Sequence, residues 1–231
     1  MSHELNLIRI KAVHQALGDL QEQVVFVGGS TVSLYADRHA FEFRGTDDVD
    51  VIIEIANYPE HALFEEQLRT RGFVDDVSSN IRGRFKLKGV TVDVIPTRDI
   101  SMGFSNIWYP DGFKNAIPYL IDETTTVRIL RPSYMIATKL EAFKSRGGND
   151  GRTSQDFEDI VYVLENRAAV WDEIRASEKN LRIYLRDEFT NLVTEKYIYE
   201  WIDCHVDFGS PPPTDDILQK MRSFALENSD I

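Results

Sequence analysis

The 231-residue chain has one cysteine, Cys204, which rules out an internal disulfide framework and suits a reducing, cytoplasmic compartment. No apolar run approaches the ~18 residues that a membrane-spanning helix needs, so no membrane partner is expected. The opening Met1-Ser2-His3-Glu4-Leu5 lacks the basic patch and apolar stretch of a signal peptide. Basic residues are in the minority, 26 against 38 acidic ones, for a net charge of −12. That balance argues against a broad basic surface that coats nucleic acid. It leaves room for a local cationic groove, a cationic small substrate or a basic protein partner. There is no internal repeat and no low-complexity tract. Gly28-Gly29 is followed by no Gly-Lys-Ser/Thr, which excludes a P-loop, and by no third glycine at dinucleotide-fingerprint spacing. His14, His39, His61 and His205 show neither metal nor triad spacing, and Cys204 beside His205 is read as incidental.

The composition that is present, 42% apolar and 28% charged, is that of a globular protein with a sizeable core. Leu5, Ile8, Ile10, Val13 and Leu17 recur at helical spacing. Val24 to Val27 reads as a short buried strand, broken by Gly28-Gly29, with a helix over 30–36. A strand follows at Val49 to Ile55, then a helix over 59–71 that stops at Gly72. Residues 81–88 and 90–95 read as a strand pair joined at Lys88-Gly89. Residues 99–118, with Gly103, Pro110, Gly112 and Pro118, read as irregular. A last strand runs through 126–130. Beyond Arg131-Pro132 the patterns are helical: 133–145, then a glycine-rich break from Gly147 to Gly151, then 154–166 and further helices to about 204. Pro211-Pro212-Pro213 is a stiff spacer before a terminal helix at 214–227. This order predicts an α+β domain over 1–130 and a helical domain over 131–231.

Three features of the first part carry chemistry. In Thr46-Asp47-Asp48-Val49-Asp50-Val51, strand alternation puts Asp48 and Asp50 on one face and Val49, Val51 and Ile53 on the other. Two carboxylates so close on a rigid strand repel without a counter-charge, and a magnesium ion with a phosphate-bearing substrate supplies one. Asp-x-Asp alone is also common as a solvated strand end. The strand–Gly28-Gly29–helix junction lets backbone approach a ligand and offers N–H groups at a helix start, with the Ser30 hydroxyl beside them. By itself it is equally an ordinary turn. If Lys88-Gly89 is a two-residue hairpin loop, Leu87 pairs with Val90 and Arg84 with Asp93. Arg82, Arg84, Lys86 and Lys88 then line one face with Asp93, and Phe85, Leu87, Val90 and Val92 the buried one. That face reads either as an exposed hairpin with a weak Arg84–Asp93 pair, or as a third metal ligand or general base with cations for phosphates. Phe104, Trp108, Tyr109 and Phe113 suit base stacking, though such a cluster is more often a core plug.

Gly28-Gly29-Ser30, then Asp48-x-Asp50, then Asp93 on a later strand resemble the polymerase-β-like nucleotidyltransferase superfamily, and within it the AbiEii/AbiGii toxin-type enzymes. The likeness extends to Lys139 in Thr138-Lys139-Leu140-Glu141-Ala142, to Arg146, and to Asp156-Phe157-Glu158-Asp159-Ile160, covering about residues 20–165. It implies a nucleotidyltransferase mixed sheet with flanking helices. It implies contacts of Gly28, Gly29 and Ser30 with the triphosphate of an NTP, and metal binding by Asp48, Asp50 and Asp93, with two magnesium ions during turnover. Asp93 would complete the carboxylate set that deprotonates the attacking hydroxyl. Lys139 would reach the nucleotide phosphates, with Asp156 as a later acidic motif of the nucleotide site; Arg82 and Arg84 meet phosphates in the sharper reading of the hairpin face. The implied reaction moves an NMP to an acceptor hydroxyl, with a tRNA 3′ end as acceptor and a cognate antitoxin as partner. A small-molecule, aminoglycoside-type acceptor and a non-catalytic nucleotide- or partner-binding module are the competing readings. This chain departs from the pattern in the long gap between Ser30 and Asp48, and in Gln155 before Asp156 where many relatives carry a basic residue. Read without the resemblance, Lys139 belongs by default on a helix surface, and Asp156 and Asp159 are charges favouring a helix start.

Overall fold

The computed structural model describes residues 2–37, 44–55, 57–98, 106–148, 150–207 and 213–227. The chain divides into two compact units, one of residues 1–34 and 42–131, the other of 35–41 and 132–231.

The first unit is built on a seven-stranded mixed sheet. Its strands are β1 (Val24–Val27), β2 (Asp48–Ile53), β3 (Val74–Asp75), β4 (Arg84–Leu87), β5 (Val90–Pro96), β6 (Ile117–Asp122) and β7 (Thr125–Ile129), in the order β3-β4-β5-β2-β1-β7-β6. β1 runs antiparallel to β2 and parallel to β7, and β2 runs parallel to β5. The all-apolar β1 has a neighbour on each edge, and all four of its residues are buried. β2 alternates at its start, with half-buried Asp48 and Asp50 around buried Val49, and then buries Val51, Ile52 and Ile53. Phe85 of β4 sits edge-on to Phe73 at 6.4 Å between ring centres, and both are buried. Full burial of side chains of this size contributes about 1.5–3 kcal/mol each.

Helices α1 (Ser2–Leu17), α2 (Tyr58–Thr70) and α3 (Tyr109–Lys114) complete this unit among the described residues. α2 shows why its ends fall where they do. The Asn57 side chain accepts from the Glu60 backbone N–H at 3.1 Å and donates to the Glu60 carboxylate at 2.8 Å. That reciprocal cap satisfies an N–H the helix itself leaves open. Gly72, at φ +89°, ends the helix in the left-handed region.

Two stretches differ from the sequence expectation. Residues 106–118, read as irregular, hold α3 and the start of β6. Pro118 is tolerated because β6 is an edge strand. Gly103 and Phe104 lie outside the described residues, as do His39, Pro211 and Pro212. Tyr109 is buried, and the Arg128 guanidinium lies 4.9 Å over the Phe113 ring while donating to the Phe113 carbonyl. These contacts fit the plug reading. The segment after the glycine turn, read as a helix over 30–36, is a 3-10 stretch, Gly29–Tyr35.

The second unit is helical: α4 (Pro132–Arg146), α5 (Gln155–Asn166), α6 (Val170–Arg175), α7 (Lys179–Thr194), α8 (Ile198–Asp203) and α9 (Thr214–Ala225). Every residue of α4 from Pro132 to Leu140 is buried, so this helix is the unit's axis rather than a surface element. Phe143, Phe157 and Trp201 form one ring cluster at 5.3–5.8 Å, and Trp171, Phe189 and Phe224 a second at 5.5–6.2 Å. Tyr35 to Asp37 join this unit through Arg167, which donates to the Tyr35 carbonyl at 3.1 Å, and through the Ala168 N–H, which donates to Asp37 at 2.7 Å. No helix among the described residues is long and apolar enough to cross a membrane.

Candidate active site

The carboxylates of Asp48, Asp50 and Asp93 converge, with ligand oxygens all within 4.8 Å of one another. Register explains the convergence. In the parallel β2–β5 pair Asp50 is level with Asp93, and Asp48 with Thr91. Paired residues on neighbouring strands face the same side, so two in-phase alternations bring all three acids together. Asp48 and Asp50 are half-buried and Asp93 is buried. Three carboxylates so close form the hard-oxygen donor set that a small divalent cation takes.

The hairpin has the register read from the sequence: Leu87 opposite Val90, and Arg84 opposite Asp93. Lys88 and Gly89 both take positive φ, +48° and +88°, as a two-residue hairpin loop requires. Arg84 binds Asp93 bidentately, Nε donating to Oδ1 at 2.7 Å and Nη2 to Oδ2 at 2.6 Å. These hydrogen bonds, and then the charges of Asp93, Asp48 and Asp50, raise the Arg84 pKa further above its ordinary value. Of the rest of the cationic stripe, Lys86 shares the face of Arg84 as expected, but donates to Thr91 at 2.6 Å and pairs with Asp76 at 3.4 Å. Lys88 lies in the loop. Arg82 falls outside β4, because Gly83 at φ +74° interrupts the alternation, and Arg82 is exposed.

The glycine turn closes over this cluster. A Cβ on Gly28 would lie 1.8 Å from Asp50 Oδ2, and Gly28 has φ +75°, so both space and conformation demand glycine. A Cβ on Gly29 would meet Thr46 Cγ2 at 2.7 Å and Arg44 Nη2 at 3.1 Å. The Arg44 guanidinium therefore lies against the turn, a cation the sequence reading did not single out. Ser30 is fully buried, and its hydroxyl has no hydrogen-bond partner among the described residues. The segment that follows is a seven-residue 3-10 stretch in place of the helix start read from the sequence. The Asp48 end of β2 is braced from α1. Arg9 donates to the Thr46 carbonyl and, at 3.2 Å, to Asp47, while the Thr46 hydroxyl donates to Asp48 O at 3.3 Å.

Lys139, Arg146, Asp156 and Asp159 form a separate network within the second unit. Lys139 is buried, against its default surface placement. Its Nζ lies 3.1 Å from Asp156 Oδ1 and 2.5 Å from Asp159 Oδ2. Arg146 donates to both Asp156 oxygens, at 2.8 and 3.0 Å. Burial pushes the Lys139 pKa down, but the charges of Asp159 and Asp156 outweigh it and leave it raised. Burial likewise opposes ionisation of Asp156, and hydrogen bonds from Arg146 with the charge of Lys139 outweigh it and hold that carboxyl below its ordinary value. Asp156 also sits in the first turn of α5, whose cap is Ser154 accepting from the Phe157 N–H at 3.3 Å.

No curated protein sequence matches the chain. Among solved structures it resembles the antibiotic-resistance factor ANT(2'')-Ia, at a TM-score of 0.51 and 14% identity, over 83% of this chain and 96% of that one. A protein from H. pylori provisionally assigned as a nucleotidyltransferase aligns at a TM-score of 0.43 and 13% identity, over 96% of this chain and 93% of that one. The first likeness supports a nucleotidyltransferase fold, in agreement with the mixed sheet and the helices that flank and follow it. A family model, the nucleotidyl transferase AbiEii toxin of type IV toxin–antitoxin systems, matches residues 13–197, and the chain belongs to that family of nucleotidyltransferase enzymes.

Proposed function

We propose that this enzyme transfers an NMP from an NTP to a hydroxyl at an RNA 3′ end, that of tRNA in particular, with magnesium as the ion. In this reading it is the toxin of a toxin–antitoxin pair, with a cognate antitoxin as its counterpart. The observation that carries the chemistry is the convergence of Asp48, Asp50 and Asp93 beneath Gly28. Asp48 and Asp50 would hold the ion, with Asp93 completing the set. When bound, magnesium neutralises charge on the triphosphate and its leaving group.

The chain's own residues set the frame around that charge. Gly28 leaves the space in which the Asp50 carboxylate stands. Gly29 and Ser30 are assigned the triphosphate contact in this reading, and the buried Ser30 hydroxyl, without a hydrogen-bond partner among the described residues, has a donor to spare. Arg84 brings positive charge to Asp93 and Arg44 brings it to the glycine turn, and exposed Arg82 adds a cation next to the hairpin. Asp93 orients Arg84 through two hydrogen bonds. Lys139 and Asp156 are assigned to nucleotide binding in this reading, and the Asp156 carboxylate accepts from both Lys139 and Arg146. Catalysis is then mainly positioning and electrostatic stabilisation.

A net charge of −12 also suits a cationic small acceptor, so an aminoglycoside-type substrate is the second reading. Incubation with each labelled NTP, magnesium, and either bulk tRNA or a panel of aminoglycosides separates the two. Label is expected on tRNA. Asp48→Asn should abolish transfer while leaving the circular dichroism spectrum unchanged, and full activity in that variant would refute the assignment.

A further inference from the structure

Asp93 has two claimants. It is one corner of the carboxylate cluster, and both of its oxygens already accept from Arg84, at 2.7 and 2.6 Å. The pair is well shielded, with side chains 22% and 12% exposed. A bidentate guanidinium–carboxylate pair is planar and directional, and it holds its geometry better than a lysine would. Lys86 on the same strand face cannot take its place, since its ammonium is engaged with Thr91 and Asp76.

We propose that Arg84 gates the third carboxylate: in the nucleotide-free protein it occupies Asp93 in competition with a divalent cation, and it releases Asp93 when a triphosphate offers the guanidinium another anion. The proposal rests on the reading of Asp48, Asp50 and Asp93 as the ion site. Its physical basis is charge balance. Three carboxylates within 4.8 Å of one another repel, and one guanidinium cancels one of the three charges. The free protein then presents Asp48 and Asp50 as an incomplete site, and the full donor set forms only with substrate present. Arg84 thereby couples ion affinity to nucleotide arrival. It acts as a positioning residue, and its position is fixed by the Lys88-Gly89 loop that sets Arg84 opposite Asp93.

The test is Mn2+ titration of the full, nucleotide-free chain, read by electron paramagnetic resonance. Arg84→Gln is expected to bind Mn2+ about tenfold tighter than the wild type, about 1.4 kcal/mol. Arg84→Lys, which keeps the charge and loses the fork, should fall between them. Asp93→Asn supplies a second line. It should weaken binding less than about twofold in the wild-type background, where Arg84 masks it, and about tenfold in the Arg84→Gln background. Unchanged or weaker Mn2+ binding by Arg84→Gln overturns the gate, as does an equal effect of Asp93→Asn in both backgrounds. Asp48→Asn separates the ion site from the gate. If it binds Mn2+ like the wild type, the ion site itself is wrong. If it loses binding while Arg84→Gln changes nothing, only the gate fails.

Discussion

Replacing Gly28 with alanine puts a methyl group where the Asp50 carboxylate stands. The added carbon would lie 1.8 Å from Asp50 Oδ2 and 2.7 Å from its Cγ, where ordinary contact begins at 3.4 Å. The carboxylate must therefore retreat by more than an ångström, or the turn must open. The second route is opposed by the residue's own backbone: at φ +75° an L side chain costs about 1–2 kcal/mol. That strain alone lowers the melting temperature by about 2–8 °C for a chain of this size. The effect on turnover is larger. A misplacement of ~1 Å at a reacting centre costs about 100-fold, so Gly28→Ala should lose about two orders of magnitude in kcat/KM while still folding. Initial rates of NMP transfer from labelled NTP give the first quantity, and differential scanning calorimetry the second. Wild-type kcat/KM in Gly28→Ala, with the protein folded, would show that Asp50 does not need its present position.

Two further outcomes concern the second unit. Lys139→Met removes the cation 2.5 Å from fully buried Asp159, and such a change in a buried pair costs about 3–5 kcal/mol, so a large fall in the melting temperature is expected and an unchanged melt would refute the network's structural role. The pH dependence follows from the signs of the shifts. Asp156 has a folded-state pKa below its ordinary 3.8, so its contribution to stability is present above pH 3.8 and is lost as the pH falls through the folded value. Lys139 has one raised above 10.5, so its contribution is complete below pH 10.5 and is lost as the pH rises through the folded value. The difference in melting temperature between wild type and Lys139→Met should shrink as the pH falls below 3.8, and a difference that widened there would contradict the pairing.

The parts of this site that the sequence reveals are those fixed by short-range rules. Strand alternation put Asp48 and Asp50 on one side, and a two-residue loop at Lys88-Gly89 set Arg84 opposite Asp93. Both depend on residues a few positions apart. The limits of the same reasoning are equally physical. Extending the alternation back to Arg82 failed because Gly83 takes a positive φ and resets the phase. β6 was hidden because Pro118 reads as a strand breaker, and only an edge position makes it harmless. The seven-residue 3-10 form of Gly29–Tyr35 carries no separate periodic signal. Lys139 looked like a surface lysine because its partners, Asp156 and Asp159, lie on another helix, and helical spacing within α4 says nothing of them. Arg44 is not legible in the sequence because its proximity to Gly29 depends on how the chain returns between β1 and β2, a contact that no local pattern encodes.

The level alignment of Asp50 with Asp93 also makes segment length a constraint in its own right. One residue inserted between Gly89 and Asp93 would leave every side chain chemically intact, yet it would turn Asp93 inward toward Phe85 and bring Val92 out among the acids. Descendants of this gene should therefore tolerate many substitutions along that hairpin more readily than a single inserted or deleted codon.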